Sequence, residues 1–329
     1  LEISHMKKTL VALAALAATG AFAQVSLTGS YGMSYQKDNA GTTGFATTDG
    51  GVTFAASEDL GGGLKASASL GMDLQGRAQK TPGSTDASLS LAGGFGTVLV
   101  GTIEAGNGLL GRGAAGAPVS LPNGADDGKI LAAASNVDIV KFTLPAMSGL
   151  TLAASYTDAA GAGGSAAASG KSAGVSAAYA AGALSIGADY TMYQGGAVAA
   201  KAAVPAEVDG DGVITSLGTV AVAAAAGNDY RARVSASYDL GVAKVGFGYE
   251  TKVKTDDSKT NGYVVGVSAP LGAVTVGAMY ARNTGTDAAL TGVGVDYALS
   301  KRTVLNGSAG FYSNSTAKDQ YRVRVLHSF

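Results

Sequence analysis

Asp319 to Phe329 reads D-Q-Y-R-V-R-V-L-H-S-F. Tyr321, Val323, Val325, His327 and Phe329 share one parity, and Arg322, Arg324, Leu326 and Ser328 share the other. Strand side chains alternate faces with period two, so this segment predicts one apolar, aromatic face and one face that is cationic through its first half. Leu326 alone breaks the pattern. The chain stops on Phe329 with no polar tail, whereas termini usually fray into water. The segment therefore reads as the closing strand of a barrel.

The same alternation recurs upstream. Val25, Leu27, Tyr31, Met33 and Tyr35 oppose Ser26, Thr28, Ser30, Gly32 and Ser34. Leu64, Ala66, Ala68, Leu70, Met72 and Leu74 oppose Lys65, Ser67, Ser69, Gly71, Asp73, Gln75 and Arg77. Between these strands, Lys37 to Asp49 reads as a polar loop, with pairing resuming at Val52. Followed to the end, the pattern predicts sixteen strands in which short turns alternate with longer connections. That arrangement fits an all-β transmembrane antiparallel barrel. Proline falls in the expected turns and loops, as ladder strands require. Alternation fails from Ala105 to about Ser135, and Gly195 to Asn228 reads as a long loop.

Composition agrees with this class. The chain has 329 residues, 50 Gly and no Cys, and only 14% of its residues are charged. A typical soluble domain carries about 25%. Absence of Cys excludes disulfides and Cys-based metal centres. The longest apolar run, Leu10 to Ala18, is far short of the roughly 20 residues a membrane helix needs. Lys7 and Lys8 precede it and Ala21-Phe22-Ala23 follows it, the pattern of a secretory signal peptide over residues 6–23. Leu1 to His5 reads as a cloning remnant, leaving 24–329 as one barrel domain. The formal net charge of −1 gives no basic footprint for nucleic acid. An exported chain whose strands are this amphipathic belongs in the bacterial outer membrane, because only closed barrels satisfy strand backbones in lipid.

Several stretches resemble the beta-proteobacterial general porins. Ser57-Glu58-Asp59-Leu60-Gly61-Gly62-Gly63-Leu64-Lys65 is similar to that family's first turn and flanking strands. Phe95-Gly96-Thr97-Val98-Leu99-Val100-Gly101 is similar to its next hairpin. Tyr297-Ala298-Leu299-Ser300-Lys301-Arg302-Thr303 and Phe329 are similar to its last hairpin and terminal signature. The resemblance implies a 16-stranded homotrimeric barrel with a water-filled pore in each subunit. It further implies a third extracellular loop folded inward as the constriction, and a terminal aromatic read by the barrel assembly machinery. Three departures stand out. Thr102-Ile103 replaces a common Arg-Gln, Pro145-Ala146-Met147-Ser148-Gly149 replaces an acidic motif, and the second loop is short. The missing arginine predicts a weakly charged, comparatively wide eyelet.

Lys65, Arg77, Lys141, Arg231, Arg233, Lys244, Lys252, Lys254, Arg322 and Arg324 share the polar parity with Asp73, Asp189, Asp239, Glu250 and Asp296. A lipid-facing Arg at the midplane costs roughly 2–4 kcal/mol, so these groups must face the lumen or lie at the rims. Basic groups outnumber acids, which predicts a mild anion preference. Arg112, Asp126, Asp127 and Lys129 are the expected constriction-loop charges. Arg282 falls on the apolar parity at a strand end, within reach of water. Glu207, Asp209 and Asp211 resemble half a calcium loop, but Gly218 stands where the bidentate Glu belongs, and a solvated acidic turn is the better reading. No cofactor is expected. Outside His5, the one histidine is His327, on the apolar parity, which argues against His-based catalysis. A non-conducting structural or adhesive outer-membrane barrel is the alternative to a diffusion channel. Residues 24–329 are expected to need detergent or lipid to stay folded; a monodisperse, folded chain in plain buffer by light scattering and circular dichroism would refute the barrel.

Overall fold

Alternating residues become strands here because each strand separates two solvents, hydrocarbon outside and water inside. The structure, a computed structural model, describes residues 24–73, 83–104, 108–125, 130–131, 136–158, 171–194, 202, 207–208, 214–216 and 226–329. The strands run β1 (Gln24–Lys37), β2 (Thr43–Gly61), β3 (Leu64–Asp73), β4 (Gly83–Gly93), β5 (Gly96–Glu104), β6 (Asn136–Thr143), β7 (Leu150–Asp158), β8 (Lys171–Ala181) and β9 (Leu184–Gln194). A small hairpin of β10 (Glu207–Val208) and β11 (Ile214–Ser216) follows. Then come β12 (Asn228–Asp239), β13 (Lys244–Lys254), β14 (Lys259–Leu271), β15 (Val274–Asn283), β16 (Ala289–Ala298), β17 (Thr303–Ser313) and β18 (Gln320–Ser328). All except β10 and β11 pair antiparallel with their neighbours into one closed barrel of sixteen strands.

The seam joins β1 to β18, with Tyr31 opposite His327 and Tyr35 opposite Val323. Gly29 and Phe329 exchange both backbone hydrogen bonds at 2.9 Å. The closing strand has the faces its sequence predicts: Tyr321 is 40% and Val323 54% exposed, while Arg322 is buried at 9%. Leu326, the exception, packs inside against the bare backbone of Gly32, where a Cβ would stand 3.3 Å from its Cδ1. Outside, Val25, Leu27, Met33, Leu70, Leu89 and Val140 are among the exposed apolar side chains that make the lipid belt. Aromatic residues collect toward the strand ends. Tyr35 meets Phe45 edge-on at 5.3 Å, and Tyr190 meets Tyr230 at 5.5 Å, as expected of interfacial girdles.

Short turns define one rim. The β2–β3 turn needs three successive residues with positive φ, at Gly61, Gly62 and Gly63, and the Asp59 carboxylate accepts the Gly61 N–H at 2.9 Å. At the other rim, Asp256 accepts from the Ser258 hydroxyl at 2.6 Å and its N–H at 3.1 Å. Those bonds, the hydroxyl first, hold the Asp256 carboxyl below the usual carboxylate range.

Four expectations need correction. Pro270, expected in a turn, lies within β14 opposite Thr275, and the loop read from Gly195 to Asn228 contains the β10–β11 hairpin. Strand β2 begins at Thr43, because β1 continues to Lys37 and the two remain paired to their tip. Thr43 to Asp49 lacks clean alternation because a bulge opposite Gly32 and Met33 interrupts its period of two. The stretch from Ala105 to Ser135 is not wholly irregular, since helix α1 (Gly108–Gly113) opens its described part.

The buried apolar cluster lies inside the barrel. Leu109, Leu121, Ala125, Ile130 and Leu131 of the connection between β5 and β6 pack on Val264, Met279, Ala281, Ala288 and Leu290 of the wall and rim. Leu109, Ile130, Leu131 and Leu290 are at most 1% exposed, worth about 1.5–3 kcal/mol each. The connection thus folds inward. Leu70→Arg, on the lipid face, is expected to cost ~2–4 kcal/mol in bilayers, whereas Ser67→Arg on the inner face is tolerated. Urea titration of vesicle-inserted protein, followed by tyrosine fluorescence, checks the contrast.

Candidate functional site: the lumen and its constriction

The inward connection is laid strand by strand across half the wall. Helix α1 starts it on β12 and β13, where the Ser235 hydroxyl donates to the Gly108 carbonyl at 3.4 Å. The Ser268 hydroxyl on β14 donates to the Ala115 carbonyl at 2.6 Å. On β17, the Asn306 amide donates to the Pro118 carbonyl at 2.9 Å, and Ser308 Oγ accepts the Ser120 N–H at 3.0 Å. On β18, Arg322 Nε donates to the Ser120 carbonyl at 2.8 Å and its Nη2 to the Ser120 hydroxyl. Gln320 Oε1 accepts the Asn123 N–H at 3.0 Å. The loop backbone therefore keeps hydrogen-bond partners inside the barrel, as a buried connection must.

Opposite this covered wall the lumen stays open. A cavity of about 440 Å³ lies between α1 and the inner face of β5 to β9 and β12. Arg112, Lys141, Arg231 and Arg233 line it, with Asp189 as the one carboxylate among the described residues, and Ser and Thr supply much of the rest. Arg233 Nε grips both oxygens of Asp189 at 2.8 and 2.9 Å. Arg112 Nε donates to Ser185 Oγ at 3.1 Å, and its guanidinium lies over Gly187, where a Cβ would sit 2.4 Å from Nη1. The Nε of Arg231 is buried with no hydrogen-bond partner among the described residues. Lys252 stands directly across the ladder from Arg231. With Asp189 committed to Arg233, Lys141, Arg231 and Arg112 set the local field. Such a field in a water-filled passage acts on ions through the height of the barrier they meet.

The structure thus brings Lys141, Arg231, Arg233 and Arg112 together. Lys65 and Lys244 stand at the short-turn rim, opposite Asp59 and Asp239 respectively. Asp73 faces inward at the other end of β3, 3.6 Å from where a Cβ on Gly51 would lie. Arg324 faces inward but is paired with Asp49 at 2.7 Å, and Arg322 lies under the loop. Arg282 reaches the rim as expected, paired with Asp287 at 2.9 Å. Arg77, Asp126, Asp127 and Lys129 lie outside the described residues, as do Asp209 and Asp211.

Thr102 does not bear on the lumen as expected. Its neighbour Ile103 lines the cavity, whereas Thr102 takes the outward parity and donates to Asp138 at 2.5 Å. Sequence reasoning missed Ser268, Asn306, Ser308 and Gln320 as loop anchors. The available signal was amide and hydroxyl residues on the inward parity of neighbouring strands.

A closed sixteen-stranded barrel with an apolar exterior, a charged aqueous interior and an inward constricting loop defines a diffusion channel of the outer membrane. The family model for Gram-negative porins matches residues 9–317. A relative, outer membrane porin protein 32 of Delftia acidovorans, is 31% identical over 95% of this chain and 91% of its own length. The chain belongs to the Gram-negative porin family. Among solved structures, an anion-selective porin from Comamonas acidovorans superposes with a TM-score of 0.64 at 22% identity, covering 94% of this chain and 100% of that one. A triple-mutant porin of Rhodopseudomonas blastica gives 0.63 at 18%, covering 93% and 100%. These two show the shared fold.

Arg322→Ala would remove the charged donor to the half-buried Ser120 carbonyl, a loss of about 1–3 kcal/mol. A lower thermal unfolding midpoint and a noisier open-channel current are expected; a quiet trace with an unshifted midpoint would show that the loop does not depend on this anchor.

Proposed function

We propose that this porin passes ions and small hydrophilic solutes down their gradients with a mild preference for anions. The carrying observation is the lining of the open lumen, where Arg112, Lys141, Arg231 and Arg233 outnumber Asp189, the carboxylate among the described lining residues. A cation entering that passage meets an unfavourable potential, and an anion a favourable one, within a Debye length of about 8 Å at physiological salt. The anion-selective porin from Comamonas acidovorans, alike in fold, supports the same sign. The eyelet is charged by these wall residues, and Thr102 takes no part in it.

The reading carries further parts. The chain acts as a channel without a catalytic step: His327 lies on the outward face, 2.9 Å from the Thr303 hydroxyl, away from the lumen. It assembles as a homotrimer in the lipid bilayer of the outer membrane, after export directed by residues 6–23. Phe329, 46% exposed beside the seam, is the residue offered to the barrel assembly machinery.

Reversal potentials in planar bilayers under a potassium chloride gradient test the main point. Anion preference is expected for the native pore, moving toward cations in Lys141→Glu/Arg231→Glu; a cation-selective native pore would sink the proposal.

A further inference from the structure

Glycine in a strand interior weakens it, and its retention there often marks close approach by another backbone. Three inward glycines of the covered wall show such an approach. A Cβ on Gly246 of β13 would lie 2.1 Å from the Arg112 carbonyl oxygen. One on Gly266 of β14 would lie 2.4 Å from that of Ala114, and one on Gly294 of β16 would lie 2.1 Å from that of Pro118. At each of the three, the nearest atoms are all loop backbone. Gly310 of β17 continues the track, meeting the Leu121 side chain at 2.4 Å. These strands are neighbours in the barrel, from β13 through β17, so the bare positions form a groove crossing the strands. The constriction loop lies in that groove.

We propose that Gly246, Gly266 and Gly294 set the width of the eyelet. They act as positioning residues: they touch no solute, but they fix how deep the loop sits in the wall and so how much lumen remains beside β5 to β9. Pore size is then determined by the barrel wall as well as by the loop. A methyl group cannot occupy these positions at 2.1–2.4 Å from a carbonyl oxygen. The wall behind is a continuous hydrogen-bonded ladder, whereas the loop is held by separate side-chain bonds, so the loop is the part that yields, toward the open lumen. The inference goes beyond the anion reading and does not rest on it.

The test is Gly246→Ala, Gly266→Ala and Gly294→Ala, each folded as judged by heat-modifiable electrophoretic mobility. Gly51→Ala is the control, because its Cβ would meet nothing closer than 3.6 Å. Unitary conductance and the exclusion size for neutral polyethylene glycols are measured on each. The three variants are expected to lose roughly 1.2- to 2-fold in conductance and to exclude smaller polymers, with the sign of ion selectivity unchanged. Gly51→Ala keeps native values. Gly310→Ala, which meets the side-chain ends of Leu121 and Leu290 rather than loop backbone, gives a smaller loss and serves should the others fail to fold. Native conductance and polymer cut-off in folded variants, or a larger pore, would overturn the proposal.

Discussion

In hydrocarbon a peptide group has no water to turn to, and an unpaired N–H or C=O costs several kcal/mol. The whole architecture follows from meeting that demand with strands. A sheet meets it only when its two edges find each other, and here they meet where β1 lies against β18. Closure then divides space. Because side chains alternate, the residues of every strand are sorted between lipid and lumen at a single stroke, and the charge pattern of the pore is fixed by parity. The exchanged hydrogen bonds between Gly29 and Phe329 are the last stitches of that seam.

The lumen is divided again by the loop after β5. Its apolar side chains cannot face the water of the pore, so they build a small core against Val264, Met279, Ala281 and Leu290. Its polar backbone is met by side chains of β14, β17 and β18. One half of the wall is thereby spent on holding the loop. The charges that act on solutes sit on the other half, with Arg112 carried over to β9 from the loop itself. This partition explains why cations of equal parity differ in standing. Arg322 serves as an anchor and Arg324 is neutralised by Asp49, while Lys141 and Arg231 line open water.

The barrel was legible because hydrocarbon enforces a strict period of two, visible in Tyr321 to Phe329 and in Leu64 to Leu74. Legibility failed where the alternation is interrupted. Thr43 to Asp49 is paired strand, but a bulge opposite Gly32 and Met33 breaks its period of two. The constriction was legible only through resemblance, since alternation stops at Ala105. Which inward charges matter was not legible at all, because parity cannot say which part of the wall the loop covers. Thr102 takes the outward face and Ile103 the inward one, so a charge at Thr102 has no bearing on the lumen. The inward glycines passed as ordinary small members of the alternation, when the backbone pressed against them was still unseen.

The anchored loop also has a mechanical meaning. From the Arg112 contact with β9 to the Arg322 contact with β18, it follows eight consecutive staves of the barrel, fastened along its length like a rib on a hull. A hollow cylinder squeezed by the lateral pressure of a bilayer tends to flatten, and a rib stiffens only the arc it lines. Among the described residues, compliance is therefore left to β1 through β8, the arc that the rib does not line.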